Sequence, residues 1–324
     1  MGKRHRQQWP PSESKGSDFL RGKSMDPHRR QLLQTSLSAP VLGLAGQALA
    51  EAAEPRSRNK ALVKAYIEAT DRGDIAAVEA LVSPEVKWWI VSRGDFDRAT
   101  IMAINRRRFD QAISRKSSIL GMAAQDDRVA VEYETATVEN GEPIFIVYHH
   151  LFQVRDNHIV SVREWTDPRA RPPRFKVSQA VPPGLDPWPA ARPDDIDEAK
   201  TRAVAEAFLA PGPTNLAREL TAPGFRWWVN GRGYDDMFDF FAKLMPKMAA
   251  MGPPVSPVRY SKVISGMTVE GDRASVLINT DVIYPTYDYI NRFHCVAIVR
   301  GGKIIEMHEH TDRNASIKAG FPEI

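Results

Sequence analysis

At 324 residues the chain is long for one domain and suits two of roughly 130 to 150 residues each. Hydrophobic residues make up 43% and charged residues 26%, ordinary values for a soluble globular protein. The net charge of +4 sits in a basic N-terminal stretch that includes Lys3, Arg4, Arg6, Arg29 and Arg30; the rest is nearly neutral, which gives no footing to nucleic-acid binding. One cysteine, Cys295, excludes an internal disulfide and a multi-cysteine metal site.

Residues 1–55 read as a basic leader and an export signal. Arg29-Arg30 precede Leu32-Leu33, a weakly apolar stretch runs from Leu37 to Leu49, and Ala48-Leu49-Ala50 is a small-residue cleavage site. The Arg pair resembles the twin-arginine type, so the expected location is periplasmic or secreted. The apolar stretch is too short to span a bilayer, and no membrane span is expected after cleavage.

A first domain follows over 58–168. Leu62, Ala65, Tyr66 and Ala69 share a helical face over 60–70, with Gly73 as the stop. A short helix covers 75–81, a strand 86–91, and a third helix 98–114, whose Arg106-Arg107-Arg108 reads as a solvated run. Alternating runs over 119–124, 128–138, 144–155 and 159–167 predict four antiparallel strands, with turn signals at Asn140-Gly141 and Asp156-Asn157. A Pro-rich linker covers 169–196. A second domain over 197–320 repeats the pattern, with helices expected over 199–209 and 235–250. Lys87-Trp88-Trp89 falls on Arg226-Trp227-Trp228 at an offset of 139, and 127–167 falls on 272–312 at a gapless offset of 145. A period of that size is a duplicated domain, not a solenoid. Helices first and strands after make each copy α+β.

Tyr66 with Gly73-Asp74, the Trp-Trp strand and the closing run Phe152 to Asp167 resemble the nuclear transport factor 2-like superfamily, in its SnoaL-like and ketosteroid-isomerase-like branches. The resemblance covers about 58–170 and 197–320. It implies two cones, each with helices packed on a curved sheet around an apolar pocket, and cofactor-free chemistry on a small hydrophobic ligand. Tyr66 matches the isomerases' oxyanion-donating tyrosine; the second copy has Phe208. The isomerase base position falls on Ile90 and Val229, which does not carry over the steroid-isomerase mechanism. The second oxyanion position falls on His150 and Cys295, or, with a one-residue bulge, on His149 and His294.

The candidate catalytic residues are therefore Tyr66, His149, His150 and Glu164. Adjacent strand residues face opposite sides, so one histidine of the pair enters the pocket. Glu164 is expected inside the cone, with a raised pKa suited to acid-base work. Trp88, Ile90, Tyr133, Trp227, His294 and Glu309 are expected to line ligand sites, while Trp89 and Trp228 face the other copy. His294, His308 and His310 could gather a metal, but the first copy has Arg163 and Trp165 at the last two positions, so neither metal nor cofactor is expected. Two readings stand. One is a lyase, cyclase or isomerase acting on an aromatic or polyketide-like molecule, with the first cone active; the other is a periplasmic binding or scaffold protein. The two copies are expected to pack as a pseudo-dimer, with room for a homo-oligomer.

Overall fold

The computed structural model describes residues 40–139, 142–166, 185–210, 218–230, 233–250, 257–285 and 288–318. Most of the leader and the Asn140-Gly141 turn lie outside these residues; Ala48-Leu49-Ala50 falls within the first helix. The first copy runs α1 (Pro40–Asp71), α2 (Ile75–Leu81), β1 (Val82–Ile90), β2 (Gly94–Phe96), α3 (Arg98–Gln111), β3 (Ala112–Gln125), β4 (Arg128–Glu139), β5 (Glu142–Arg155) and β6 (His158–Thr166). The second runs α4 (Glu198–Leu209), β7 (Thr221–Val229), β8 (Gly233–Asp235), α5 (Met237–Ala250), β9 (Arg259–Glu270), β10 (Arg273–Ile283), β11 (Asp288–Arg300) and β12 (Lys303–His310), closing on α6 (Arg313–Lys318). Among the described residues, no helix is long and apolar enough to cross a membrane.

Each copy builds a six-stranded sheet of one topology: β2-β1-β6-β5-β4-β3 in the first and β8-β7-β12-β11-β10-β9 in the second. The first and last strands of each copy pair in parallel, and the other pairs are antiparallel. The duplicated register is kept: His150 opposes Glu164, and Cys295 opposes Glu309. The fold is α+β, as the order of elements predicts.

Local chemistry sets the boundaries. Gly73 takes φ +66° after α1, and Asp74 and Asp97 cap α2 and α3 by accepting from Ala77 N and Thr100 N at 3.0 and 2.8 Å. Asp156 and Asn157 both have positive φ, as the tight turn requires, and Gly301-Gly302 repeat it. Several boundaries differ from expectation: α1 starts at Pro40 rather than 60, β1 at Val82 rather than 86, and β3 at Ala112 rather than 119. α3 ends at Gln111, because Ala112 is already extended and pairs with Glu139. Sequence also passes over the three-residue strands β2 and β8, so α5 begins at Met237; such short strands carry no periodicity, and their pairing to β1 and β7 defines them.

The two sheets pack against each other, and polar side chains are buried between them. Glu132 on β4 is 0% exposed and accepts from His308 Nδ1 and His310 Nε2, both at 2.7 Å, and from Trp188 Nε1. His308 Nε2 continues to Glu306 Oε1 at 2.9 Å, and Arg226 Nη2 donates to the same oxygen at 2.7 Å. His149 stacks on His294 with centroids 3.6 Å apart, and Trp165 donates Nε1 to Arg292 O at 2.9 Å. Trp228 packs with Leu120 and Val147, and Trp89 packs with Trp165 and Leu277, so the second tryptophan of each pair contacts the other copy. Glu132, His149 and His310 also bring three possible ligand atoms within 4.8 Å of one another. This is a different set from the three histidines weighed in the sequence, and its carboxylate already accepts three hydrogen bonds.

Trp188, from the described end of the linker, lies across β3 at Gly121, where a Cβ would overlap the indole ring. Close approach rather than backbone conformation therefore requires glycine there. Gly121→Ala should push Trp188 off Glu132 and cost about 1–3 kcal/mol, the range for overpacking. Urea unfolding compared with wild type measures it, and a loss below about 0.5 kcal/mol, within the noise of a surface substitution, would show that the indole can shift freely.

The buried histidines pull stability in opposite directions with pH. Burial lowers the His308 pKa, but Glu132 and Glu306 reverse that and bring it up to about 9. A raised folded pKa stabilises below the unfolded value of 6.5, and the gain is lost as pH rises through about 9. Burial, together with neighbouring imidazoles, holds His149 and His294 well below 6.5, so their neutral forms stabilise above 6.5 and the gain is lost as pH falls beneath it. Unfolding free energy should accordingly peak near pH 6.5. Denaturation between pH 5 and 9 tests this, and a flat profile would contradict the assigned charge states.

Candidate active site in the first cone

One face of the first sheet, with α1 and α3 across it, bounds a cleft. Its polar residues come from alternate positions on facing strands, which is why they converge. Tyr133 on β4 opposes Tyr148 on β5 in register, and the rings stack at 4.9 Å. Two residues along β5, His150 enters the same cavity, and on β6 Glu164 lies opposite it. Trp88 and Ile90 enter from β1, and Tyr66 from α1.

These groups form a chain. Tyr133 Oη lies 3.3 Å from His150 Nδ1, His150 Nε2 lies 3.5 Å from Glu164 Oε2, and Trp88 Nε1 donates to that oxygen at 3.0 Å. Burial raises the Glu164 carboxyl, but His150, Arg108 and Trp88 outweigh it and bring the pKa down to about 2. The expected raised pKa is thus corrected: Glu164 is an anion at neutral pH because its partners stabilise the charged form. Tyr66 and Tyr133 are the opposite case, raised chiefly by burial, so both phenols stay protonated. A fixed carboxylate at one end and neutral phenols at the other let the imidazole between them move a proton in either direction.

Of the residues expected at sites, Tyr66, Trp88, Ile90, Tyr133, His150 and Glu164 are brought together here. His149 and His294 are not: they stack on each other between the sheets. The register settles the choice that the sequence left open, because β5 pairs with β4 without a bulge and puts His150 on the side of Tyr148. Trp227 and Glu309 belong to the second cone; Trp227 is in its core, and Glu309 sits on β12 beside Val229 and opposite Cys295.

Sequence reasoning passed over Tyr148, Asn105, Arg108 and Arg115, which also line the cleft. Arg108 corrects the solvated-run reading. Ile101, Ile104, Asn105 and Arg108 make one helical stripe, a spacing that could have separated Arg108 from its neighbours, while Arg106 pairs with Glu79 on the exposed side. Tyr148 carries a period-2 signal, two residues before His150.

The second cone has the same register with different chemistry. Ile278, Phe293 and Cys295 occupy the places of Tyr133, Tyr148 and His150, and Phe208 packs against the same core. Its described lining is mostly apolar, and burial pushes the Cys295 thiol well above its usual range.

Residues 63–162 match the SnoaL-like domain family, a span of about a third of the chain. Searches of solved structures return many partial matches. An epoxide hydrolase of the LEH-like type from M. tuberculosis is 17% identical, covering 36% of this chain and 88% of that one at a TM-score of 0.34. IdmH from Streptomyces antibioticus, described as a proposed polyketide cyclase, is 14% identical, covering 35% and 94% at a TM-score of 0.33. An NTF2-like protein of unknown function from Cytophaga hutchinsonii is 18% identical, covering 34% and 91% at a TM-score of 0.29. No curated protein matches the sequence.

Proposed function

We propose that the first cone is the active site of a cofactor-free acid-base enzyme, a lyase, cyclase or isomerase acting on a small hydrophobic, aromatic or polyketide-like molecule. The observation that carries this reading is the run Tyr133–His150–Glu164–Trp88, in which Tyr133 and Trp88 make hydrogen bonds and His150 Nε2 stands 3.5 Å from the Glu164 carboxylate, in a cleft lined by polar and apolar side chains. In the resting state His150 holds its proton on Nε2 toward Glu164, and Nδ1 accepts from Tyr133, a tautomer assigned from these partners. A substrate C–H facing Tyr133 gives its proton to the phenol oxygen as the phenol proton passes to Nδ1. Glu164 stabilises the imidazolium so formed. Tyr66, protonated and in the same cavity, donates to the oxygen on which charge develops. Running the relay backwards returns a proton to carbon or to a departing hydroxyl. The second cone, without the phenols and the imidazole, supplies the face on which the first sheet packs. Arg29-Arg30 and the Ala48-Leu49-Ala50 site support export of the protein by a twin-arginine route.

Proton exchange tests the reading without knowledge of the natural substrate. A panel of aromatic β-keto and β-hydroxy compounds is incubated with the protein in D2O, and deuterium entry at carbon is followed by NMR. Wild type should catalyse exchange on at least one compound, and Tyr133→Phe should slow it by about 10²-fold or more. Ligand binding with no exchange or conversion anywhere in the panel would favour a binding protein instead.

A further inference from the structure

The relay leaves one charged group in the cleft unused. Arg115 on β3 lines the wall with a side chain 9% exposed. Its Nε stands 3.4 Å from Asp71 Oδ1, and that carboxylate is already engaged, accepting from Ser117 N and Ser117 Oγ at 2.7 Å each. Arg115 Nε is buried and has no hydrogen-bond partner among the described residues. A second guanidinium, that of Arg108, lines the same cavity and repels it. Glu164, the carboxylate of the cleft, is committed to Trp88 and His150.

A buried guanidinium N–H without a hydrogen-bond partner is costly, and the planar fork of the group fits a carboxylate bidentately. Its place in the fold adds a second argument. Arg115 opposes Thr137 in the first sheet; in the second, Tyr260 opposes Val282 at the equivalent register. The cone that lacks the His150 and Tyr133 equivalents therefore lacks this cation too.

We propose that the first cone takes an anionic ligand: a flat hydrophobic carboxylate, its carboxylate group paired with Arg115 and its body reaching Tyr133. The inference rests on the proposed function for the identity of the cleft as the substrate site, and it adds the charge class of the substrate. The second cation, Arg108, supports the same end of the ligand, while the stacked rings of Tyr133 and Tyr148 offer a face to its aromatic part.

The test is calorimetric titration of the full chain with 2-naphthoate and with its neutral isostere 2-naphthamide. Wild type should bind naphthoate at least about tenfold more tightly, as expected for a charge-assisted pair. Arg115→Gln should remove that preference, Arg115→Lys should keep part of it, and thermal melting confirms that each variant is folded. Equal affinity for the two probes in wild type, or no binding of naphthoate, overturns the proposal without any variant. A preference that survives Arg115→Gln in a folded protein overturns the assignment to Arg115. His150→Ala separates this inference from the relay, since it should keep the naphthoate preference. Turnover that depends on His150 with no anion preference sinks the charge class alone, whereas an anion preference with no exchange in any compound sinks the relay and leaves the anion site standing.

Discussion

His150→Ala should lower turnover by about 10²–10⁴-fold, the range for losing a positioned acid-base group, while the protein stays folded. The magnitude follows from position. The imidazole is nearly fully buried, and its two nitrogens face Tyr133 and Glu164, so among the described residues no other side chain completes the path between the phenol and the carboxylate. Water entering the vacated space could carry a proton, but it would neither hold Tyr133 in place nor be charged by Glu164. Glu164→Gln should cost less, since the imidazole remains and only the anion that stabilises its protonated form is removed. The pH-rate profile reads the charge state of Glu164. With the Glu164 pKa down at about 2, wild-type turnover should show no acid limb from this carboxyl at pH 4 and above. His149→Ala is the matched control: it alters the neighbouring histidine on the other face of β5 and should leave turnover per folded molecule near wild type. Equal losses from both histidine substitutions would mean that the interface, not the relay, sets the rate.

The duplication, the cone architecture and most of the first site were legible because period-2 alternation and the gapless offset are strong local signals. Once strands are placed, parity alone predicts that Glu164 and Trp88 enter the cone while Trp165 and Trp89 leave it, and they do. Parity could not choose between His149 and His150, because that depends on whether a bulge interrupts β5, a property of pairing rather than of sequence. The Glu164 pKa was misjudged for a similar reason. Burial was readable from the apolar strand around it, but Trp88 Nε1, His150 and Arg108 reach it from three different elements. Arg115 escaped notice because an arginine in an edge strand usually faces water, whereas here Asp71 at the end of α1 and the other cleft residues enclose it. The buried charges between the sheets were invisible for a further reason. Glu132 corresponds to Leu277 in the second copy, so the repeat carries no matching charge to mark the position.

That carboxylate carries the largest expected effect on stability. Glu132→Ala should cost about 3–5 kcal/mol, the range for removing one partner of a buried ion pair. Against a total of about 5–15 kcal/mol for a folded domain, the loss should be plain in a urea melt. Glu132 is fully enclosed and accepts hydrogen bonds from two histidines of the second copy and a tryptophan of the linker, so one truncation strands three donors and leaves the His308 imidazolium facing Glu306 alone. The cost lies in the stranded partners rather than in a large net attraction, because the pair also gave up its hydration. Glu132→Leu combined with His308→Leu should therefore be much less harmful than the sum of the two single substitutions. In that double variant the decline in stability between pH 6.5 and about 9 should also disappear, since its source is the raised His308 pKa. Additive losses in the double variant, with the alkaline decline intact, would move the origin of both effects away from this pair. The expected non-additivity follows from one geometric fact: Glu132 and His308 lie on different sheets and are buried together only when the two sheets are packed.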